Sequence, residues 1–172
     1  REALNDAADS ADIAKVWQSV TRARKNDIAL LEAYYSALMR VGENDRAEKE
    51  LATAIKSNWR GPLVRLFGLV ESSDTTKQLK RAEGWLKNHE DDPDLLLAAA
   101  RLCLRNELWG KARSYLETVI SLRPTPEAYQ EYGSLLNQVG EADAAADAYR
   151  EGLGMVAAEP RTALPHLASN KG

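Results

Sequence analysis

The sequence has little of what marks several common protein classes. It contains one cysteine, Cys103, and two histidines among 172 residues, which excludes an internal disulfide framework and any obvious zinc site. The longest uncharged apolar run, residues 95–100, is far shorter than the roughly 20 residues that a membrane-spanning helix needs. The 23 lysines and arginines are outnumbered by 26 aspartates and glutamates, so no nucleic-acid-binding protein is indicated.

Catalytic sequence motifs are also missing. The chain has no phosphate-binding glycine loop, no nucleophile elbow and no paired metal-ligand motif. The acidic segment 90–94 lacks the ligand spacing of a calcium loop. Its proline and aspartates precede an apolar stretch, which is typical of a turn and a helix cap. We therefore expect a protein that is not an enzyme.

What the sequence does contain is helical periodicity. Apolar residues recur at spacings of three and four, while the alternation typical of strands is nearly absent. Pro93 and Pro126 begin two of the apolar stretches, and Gly42 and Gly140 separate others. Proline at a helix start and glycine in the following turn are the expected punctuation of helices. The pattern predicts an all-α chain.

The predicted helices recur at a regular interval. A small residue followed four positions later by a bulky one occurs three times, at Ala47 and Leu51, Ala112 and Leu116, and Ala145 and Tyr149. The last two alanines are 33 residues apart and the first two 65, close to two periods. This spacing resembles the tetratricopeptide (TPR) repeat. We expect an all-α, right-handed superhelical stack of TPR-like helix-turn-helix repeats, because each pair needs neighbours to bury its apolar face.

The repeat divides the chain into predicted segments. Residues 1–26 would hold N-terminal helices of a truncated unit, and residues 159–172 a flexible tail. Between them we predict about four helix pairs, at 27–59, 60–92, 93–125 and 126–158. The second pair fits only with about two extra residues in its turn, and the third has Glu107 where the turn glycine is expected.

Four segments carry a more specific resemblance. They are LVRLFG (63–68), QLKRAEGWL (78–86), LCLRNELWGKAR (102–113) and RPTPEAY (123–129). Over roughly residues 15–155 the chain is similar to the TPR region of HemY-type proteins. The resemblance implies a bacterial inner-membrane parent whose two N-terminal transmembrane helices precede this region, and an association with late protohaem biosynthesis without an established catalytic activity. It also implies that this domain is cytoplasmic, although the sequence does not determine the side of the membrane.

In a TPR stack the first helices of successive pairs line a concave groove. Projecting each first helix one residue beyond its apolar positions predicts a groove surface formed by Glu32, Arg40, Arg65, Leu97, Arg101, Leu104 and Arg105. Guanidinium groups suit carboxylates, so an acidic peptide, a chain terminus or a propionate-bearing ligand would fit this surface. The alternative is that the arginines are solvated and their stems cover apolar surface.

Three functions remain open from the sequence. The first is a protein-interaction scaffold whose partners are haem-synthesis enzymes or acidic peptide segments. The second is a haem or porphyrin carrier in which Leu97 and Leu104 contact the macrocycle. The third is self-association through an incomplete first unit. No cofactor is expected, because His89, His166 and Cys103 lack ligand spacing, and Cys103 is expected to be a buried structural thiol.

Overall fold

The computed structural model describes residues 1–158, so the predicted tail 159–172 with His166 lies outside the described residues. Residues 1–158 form ten α-helices and one 3-10 helix (Arg24–Asn26), with no strand among them. The α-helices are α1 (Glu2–Asn5), α2 (Ser10–Ser19), α3 (Ile28–Arg40), α4 (Asn44–Ser57), α5 (Gly61–Phe67), α6 (Thr75–Leu86), α7 (Pro93–Arg105), α8 (Trp109–Leu122), α9 (Pro126–Gln138) and α10 (Ala142–Ala157). The prediction of an all-α chain is confirmed.

Side-chain caps fix where several helices begin. An oxygen of the residue before the helix accepts a hydrogen bond from a backbone N–H of the first turn at Asp9, Asp27, Asp74, Asp92 and Thr125. The predicted cap in segment 90–94 is confirmed: the Asp92 carboxylate accepts from the N–H groups of Asp94 and Leu95 at 2.8 and 3.3 Å.

The turns inside three helix pairs share one backbone feature. Gly42 and Gly140 have φ values of 84° and 82°, and Glu107 has φ 57°. This left-handed region is strained for most residues, whereas glycine enters it freely. The third pair therefore makes the same turn without the glycine.

The chain divides into two compact units, and the first comprises residues 1–123. Most helices adjacent in sequence pack together in this unit, and odd-numbered helices also pack on one another, α1 on α3, α3 on α5 and α5 on α7. Large, fully buried side chains from odd- and even-numbered helices form the core of this unit: Leu4, Ile13, Tyr34, Leu38, Leu51, Ile55, Leu63, Phe67, Leu95, Leu102 and Leu116. Helices packed in sequential pairs thus share a continuous apolar interior.

Aromatic side chains join α5, α6 and the start of α7. The Trp59 ring stacks on His89, with centroids 3.7 Å apart and planes 4° from parallel. Trp59 Nε1 also donates a hydrogen bond to an Asp92 carboxylate oxygen at 2.7 Å. Trp85 packs edge-on against both Trp59 and Phe67, at 5.9 and 4.9 Å. Trp59 and Trp85 therefore contribute to packing between these segments.

The second unit begins at Pro124, and its described part contains α9 and α10. Its core consists of Leu136, Ala145 and Ala148, with Tyr129 and Tyr132 partly buried against them. Gly133 lets the two helices approach, because a Cβ there would lie 2.6 Å from the Tyr149 ring.

Candidate functional site

Two of the predicted groove arginines bind the protein's own backbone. Arg40, the last residue of α3, donates from Nη2 to the carbonyl oxygens of Leu4 at 3.0 Å and Ala7 at 2.8 Å. Arg105, the last residue of α7, donates to the carbonyl oxygens of Gly68 and Val70, both at 2.5 Å. In each case the guanidinium holds the end of a first helix in the preceding pair, α1 or α5. These two arginines therefore join successive helix pairs.

A third predicted arginine belongs to a charged cluster. Arg65 Nε lies 3.0 Å from Asp94 Oδ1, and Arg123 Nη2 bonds to the same carboxylate oxygen. The Asp94 side chain is 13% exposed, whereas those of Arg65 and Arg123 are 44% and 47% exposed. We call these three residues the Asp94 cluster. Two positive charges around one carboxylate leave the cluster with a formal charge of +1.

The local sequence places Asp94 at this position. It is the second residue of α7, directly after Pro93, and a carboxylate in the first turn of a helix is favoured by the helix dipole. Gly61, the first residue of α5, provides the space, because a Cβ there would collide with the Asp94 carboxylate. The carboxylate thus sits against α5, where Arg65 reaches it from one turn further along.

The other predicted groove residues differ in exposure. Glu32, Arg101 and Leu104 are half-buried. Leu97 is only 4% exposed, so its side chain lies in the core of the first unit. The carrier alternative requires Leu97 to contact a macrocycle, and we therefore do not propose that function.

Asp94 and Arg123 are members of this cluster that the sequence pattern did not predict. Asp94 stands in the acidic segment 90–94, whose pattern predicts only a cap and a turn, and Arg123 precedes Pro124 near the boundary between predicted pairs. A signal was present: Asp94 follows Arg65 by 29 residues and Arg123 follows Asp94 by 29 residues, slightly less than the predicted repeat length of 33. Charged residues at near-repeat spacing can meet between successive pairs.

A second polar group, absent from our predictions, lies between α3 and α4. Tyr34 donates a hydrogen bond to Glu50 Oε2 at 2.9 Å, and Arg46 binds both the Tyr34 hydroxyl at 3.0 Å and Glu50 Oε1 at 2.8 Å. The Trp17 ring stacks on Tyr34 with centroids 4.1 Å apart. Burial, followed by the hydrogen bond to Glu50, raises the pKa of Tyr34 far above its usual range. This tyrosine therefore stays neutral and serves as a hydrogen-bonded anchor.

An open recess of about 730 Å³ lies beside this group, lined by Tyr35 and by residues of α4. The Tyr35 hydroxyl lies 3.4 Å from the Glu50 carbonyl oxygen. Burial and then the Glu50 charge raise the pKa of Tyr35 to about 12. Lys49, Arg46, Asp45 and Glu50 place both charge signs on the wall, so the recess has no marked preference for ligands of one charge.

Cys103 is fully buried in α7, as expected of a structural thiol. Burial raises the pKa of the Cys103 thiol to about 12. The thiolate is the reactive form of cysteine. Burial keeps reagents away from the Cys103 sulfur and the raised pKa lowers the thiolate fraction, so both slow the reactions of this thiol.

We expect Cys103 to react with an aromatic disulfide reagent at pH 8 about 100-fold or more slowly in the folded chain than in urea. The measurement is the absorbance of the released thiolate, followed with and without denaturant. The lone cysteine makes the signal unambiguous. Equal rates in both conditions would contradict a buried thiol.

The chain matches no family model and no curated protein. Residues 1–158 contain no group of three or more His, Cys, Asp or Glu side chains placed to hold a metal ion. Within that same range, no helix is both long and apolar enough to cross a bilayer. What the chain binds must therefore be inferred from its own side chains.

Proposed function

We propose that this chain is a non-catalytic, TPR-like interaction scaffold that binds an acidic peptide segment at the Asp94 cluster. The observation that carries the proposal is the pair of half-exposed guanidinium groups held on one mostly buried carboxylate. A ligand carboxylate would find charge and hydrogen-bond donors already in position.

The recurrence of equivalent contacts supports the repeat part of the proposal. Arg40 and Arg105 are 65 residues apart, the same separation as Ala47 and Ala112, and both bind two carbonyls of the preceding pair. The repeated small residue, at Ala47, Ala112 and Ala145, is at most 1% exposed in each case. Residues at equivalent positions of the proposed repeats thus make equivalent contacts and are equally buried. This favours stacked repeats over an unrelated helical bundle.

The chemistry of the Asp94 cluster supports the ligand class. A guanidinium group presents several N–H donors in a planar fork, and Asp94 Oδ1 contacts Arg65 through Nε and Arg123 through Nη2. The remaining donors suit a second carboxylate. Because Asp94 already holds both side chains, binding a ligand there costs less ordering entropy than binding it to free surface arginines.

The partner proposed for this site follows from the sequence resemblance. HemY-type proteins are associated with late protohaem biosynthesis at the bacterial inner membrane, so we propose that the acidic segment belongs to a protein of that process. Attachment to the membrane would come from a part of the parent protein outside this sequence.

The binding test uses a fluorescent peptide rich in glutamate and the paired variant Arg65→Gln and Arg123→Gln. Removing both charges is expected to weaken binding about tenfold or more, since hydrogen bonds to charged groups contribute about 1.5–3 kcal/mol each. Fluorescence anisotropy measures the affinity at low and at raised salt. Raised salt should reduce the difference in affinity between the unaltered chain and the paired variant, because it screens the charges.

Arg150→Gln is the matched control, because its side chain is 74% exposed and pairs only locally with Asp147. It should bind the peptide as the unaltered chain does. Circular dichroism establishes that each variant is folded. The proposal fails if the unaltered chain shows no saturable binding, or if the paired variant binds with undiminished affinity.

A further inference from the structure

We infer that the acidic segment bound at the Asp94 cluster also carries an apolar side chain, two positions from its carboxylate, and that this side chain packs on Leu66 and Leu69. The inference rests on the proposed function and names the class of peptide that the same site selects. The residues that would contact this peptide on one side of α5 are Pro62, Arg65, Leu66 and Leu69, which we call the α5 surface.

The α5 surface lies on one side of a continuous helical path. Its four members are spaced by three, one and three positions, which places them on the same side of a helix. The path continues past the end of α5, because Gly68 has φ −68° and ψ −18° and the Leu69 N–H donates to the Leu66 carbonyl oxygen at 2.9 Å. Arg65 and Leu69 are the exposed residues of segment 61–70, and the other two members of the surface are half-buried. This side of α5 is therefore apolar apart from one guanidinium group.

The backbone on both sides of Leu69 is held by hydrogen bonds. Arg105 donates to the carbonyl oxygens of Gly68 and Val70, both at 2.5 Å, and Gln78 Nε2 donates to the Val70 carbonyl oxygen at 3.0 Å. The Leu69 side chain is nevertheless 42% exposed. A large apolar side chain is thus presented to solvent on a fixed backbone, so a ligand that packs on it needs to order little of the protein.

Arg65 decides what the occupant of the α5 surface must carry. A ligand that covers Leu66 and Leu69 also removes water from Arg65, whose side chain is 44% exposed although its Nε contacts Asp94. Burying a charged group without a hydrogen-bond partner is costly, so the occupant must bring an acceptor. A carboxylate does so, whereas a purely apolar partner does not. A second copy of this surface would place Arg65 against Arg65, which is unfavourable.

The spacing of the surface specifies the spacing in the peptide. Arg65 and Leu69 are four residues apart, which corresponds to about 6 Å along a helix. In an extended segment, side chains two positions apart lie on the same side and are about 6.5–7 Å apart. An acidic residue and an apolar residue two positions away from it therefore match the two exposed side chains. The peptide can run in either direction along α5, so the apolar residue precedes or follows the acidic one.

The test uses three labelled glutamate-rich peptides and fluorescence anisotropy with the full chain. One peptide has leucine two positions before its central glutamate, the second has leucine two positions after it, and the third has alanine at both positions. We expect at least one leucine peptide to bind about fivefold or more tightly than the alanine peptide. In the Leu69→Ala variant this advantage should fall below about twofold, because residues in direct contact are energetically coupled.

Leu108→Ala is the matched control, because Leu108 is 41% exposed in the first unit, and the advantage of the leucine peptide should persist in it. Circular dichroism establishes that both variants are folded. Equal binding of all three peptides, or an unchanged advantage in Leu69→Ala, would overturn the inference. So would undiminished binding of a leucine peptide whose glutamates are replaced by glutamine, or a dimer in sedimentation that Leu69→Ala abolishes.

The Arg65→Gln and Arg123→Gln variant separates this inference from the proposed function. If that variant loses peptide binding while Leu69→Ala leaves the advantage of leucine unchanged, the proposed function stands and only the apolar contact is wrong. If the unaltered chain binds none of the three peptides, or the arginine variant binds them with undiminished affinity, the proposed function fails and the inference fails with it.

Discussion

Replacement of Gly68 by valine is expected to destabilise the first unit by about 3 kcal/mol, at the upper end of the usual cost of overpacking. A Cβ at Gly68 would lie 2.5 Å from Ala98 Cα and 2.9 Å from Ala98 Cβ. Gly68 has φ −68°, which any residue adopts, so the cost is steric and not conformational. Since the obstructing atom belongs to the backbone of α7, relief requires α5 and α7 to separate.

The readout for this variant is urea unfolding followed by tryptophan fluorescence. All four tryptophans, at positions 17, 59, 85 and 109, lie in the first unit, so the signal reports on that unit alone. Gly84→Ala is the matched control. Gly84 is in α6, and a Cβ there meets no atom within 4 Å. Alanine at that position is expected to stabilise by about 0.5–1 kcal/mol. If Gly68→Val unfolds at the same urea concentration as the unaltered chain, the close approach of α5 and α7 is wrong.

The fold could be predicted from the sequence where local chemistry decides it. Proline, aspartate and threonine at helix starts, and glycine at Gly42 and Gly140, act through the backbone of their own segment. The short helix α5 was harder to predict, because the chain around it departs from the predicted repeat pattern. Its end is fixed by side chains distant in sequence, Gln78 and Arg105, whose contacts no periodic pattern indicates.

The candidate site was less predictable for the same reason. Helical projection placed Arg40 and Arg105 on an exposed surface, but it takes no account of backbone carbonyls left open at the end of another helix. A guanidinium group near such carbonyls gains charge-assisted hydrogen bonds. Likewise, the segment around Asp94 predicts only a cap and a turn. The charge of Asp94 is balanced by Arg65 and Arg123, which are each 29 positions away in the sequence.

Gln78 is the buried polar residue on which the end of α5 depends. It is 1% exposed, and its amide Nε2 donates to the carbonyl oxygens of Phe67 at 2.8 Å and Val70 at 3.0 Å. Its Oε1 accepts a hydrogen bond from the Ser72 hydroxyl at 2.8 Å. One side chain thus satisfies the Phe67 carbonyl, which the helix end leaves without a partner, and the Val70 carbonyl in the loop that follows α5.

Replacement of Gln78 by leucine is expected to cost about 3 kcal/mol of unfolding free energy, because each buried group left without a partner costs about 1–3 kcal/mol. Tryptophan fluorescence in urea measures it. Gln18→Leu is the control: Gln18 is exposed on α2, and the same substitution there should change stability by less than about 0.5 kcal/mol. Equal effects at the two positions would contradict the hydrogen bonds assigned to Gln78.

The double substitution with Arg105→Met extends the test to the contact between helix pairs. Gln78 and Arg105 both donate to the Val70 carbonyl oxygen, so each single variant leaves that oxygen one partner and the double variant removes both. We therefore expect the two losses to be non-additive, with a coupling of about 0.5–3 kcal/mol. Strict additivity would mean that the two side chains act on separate parts of the unit, and that Arg105 does not share in closing the end of α5.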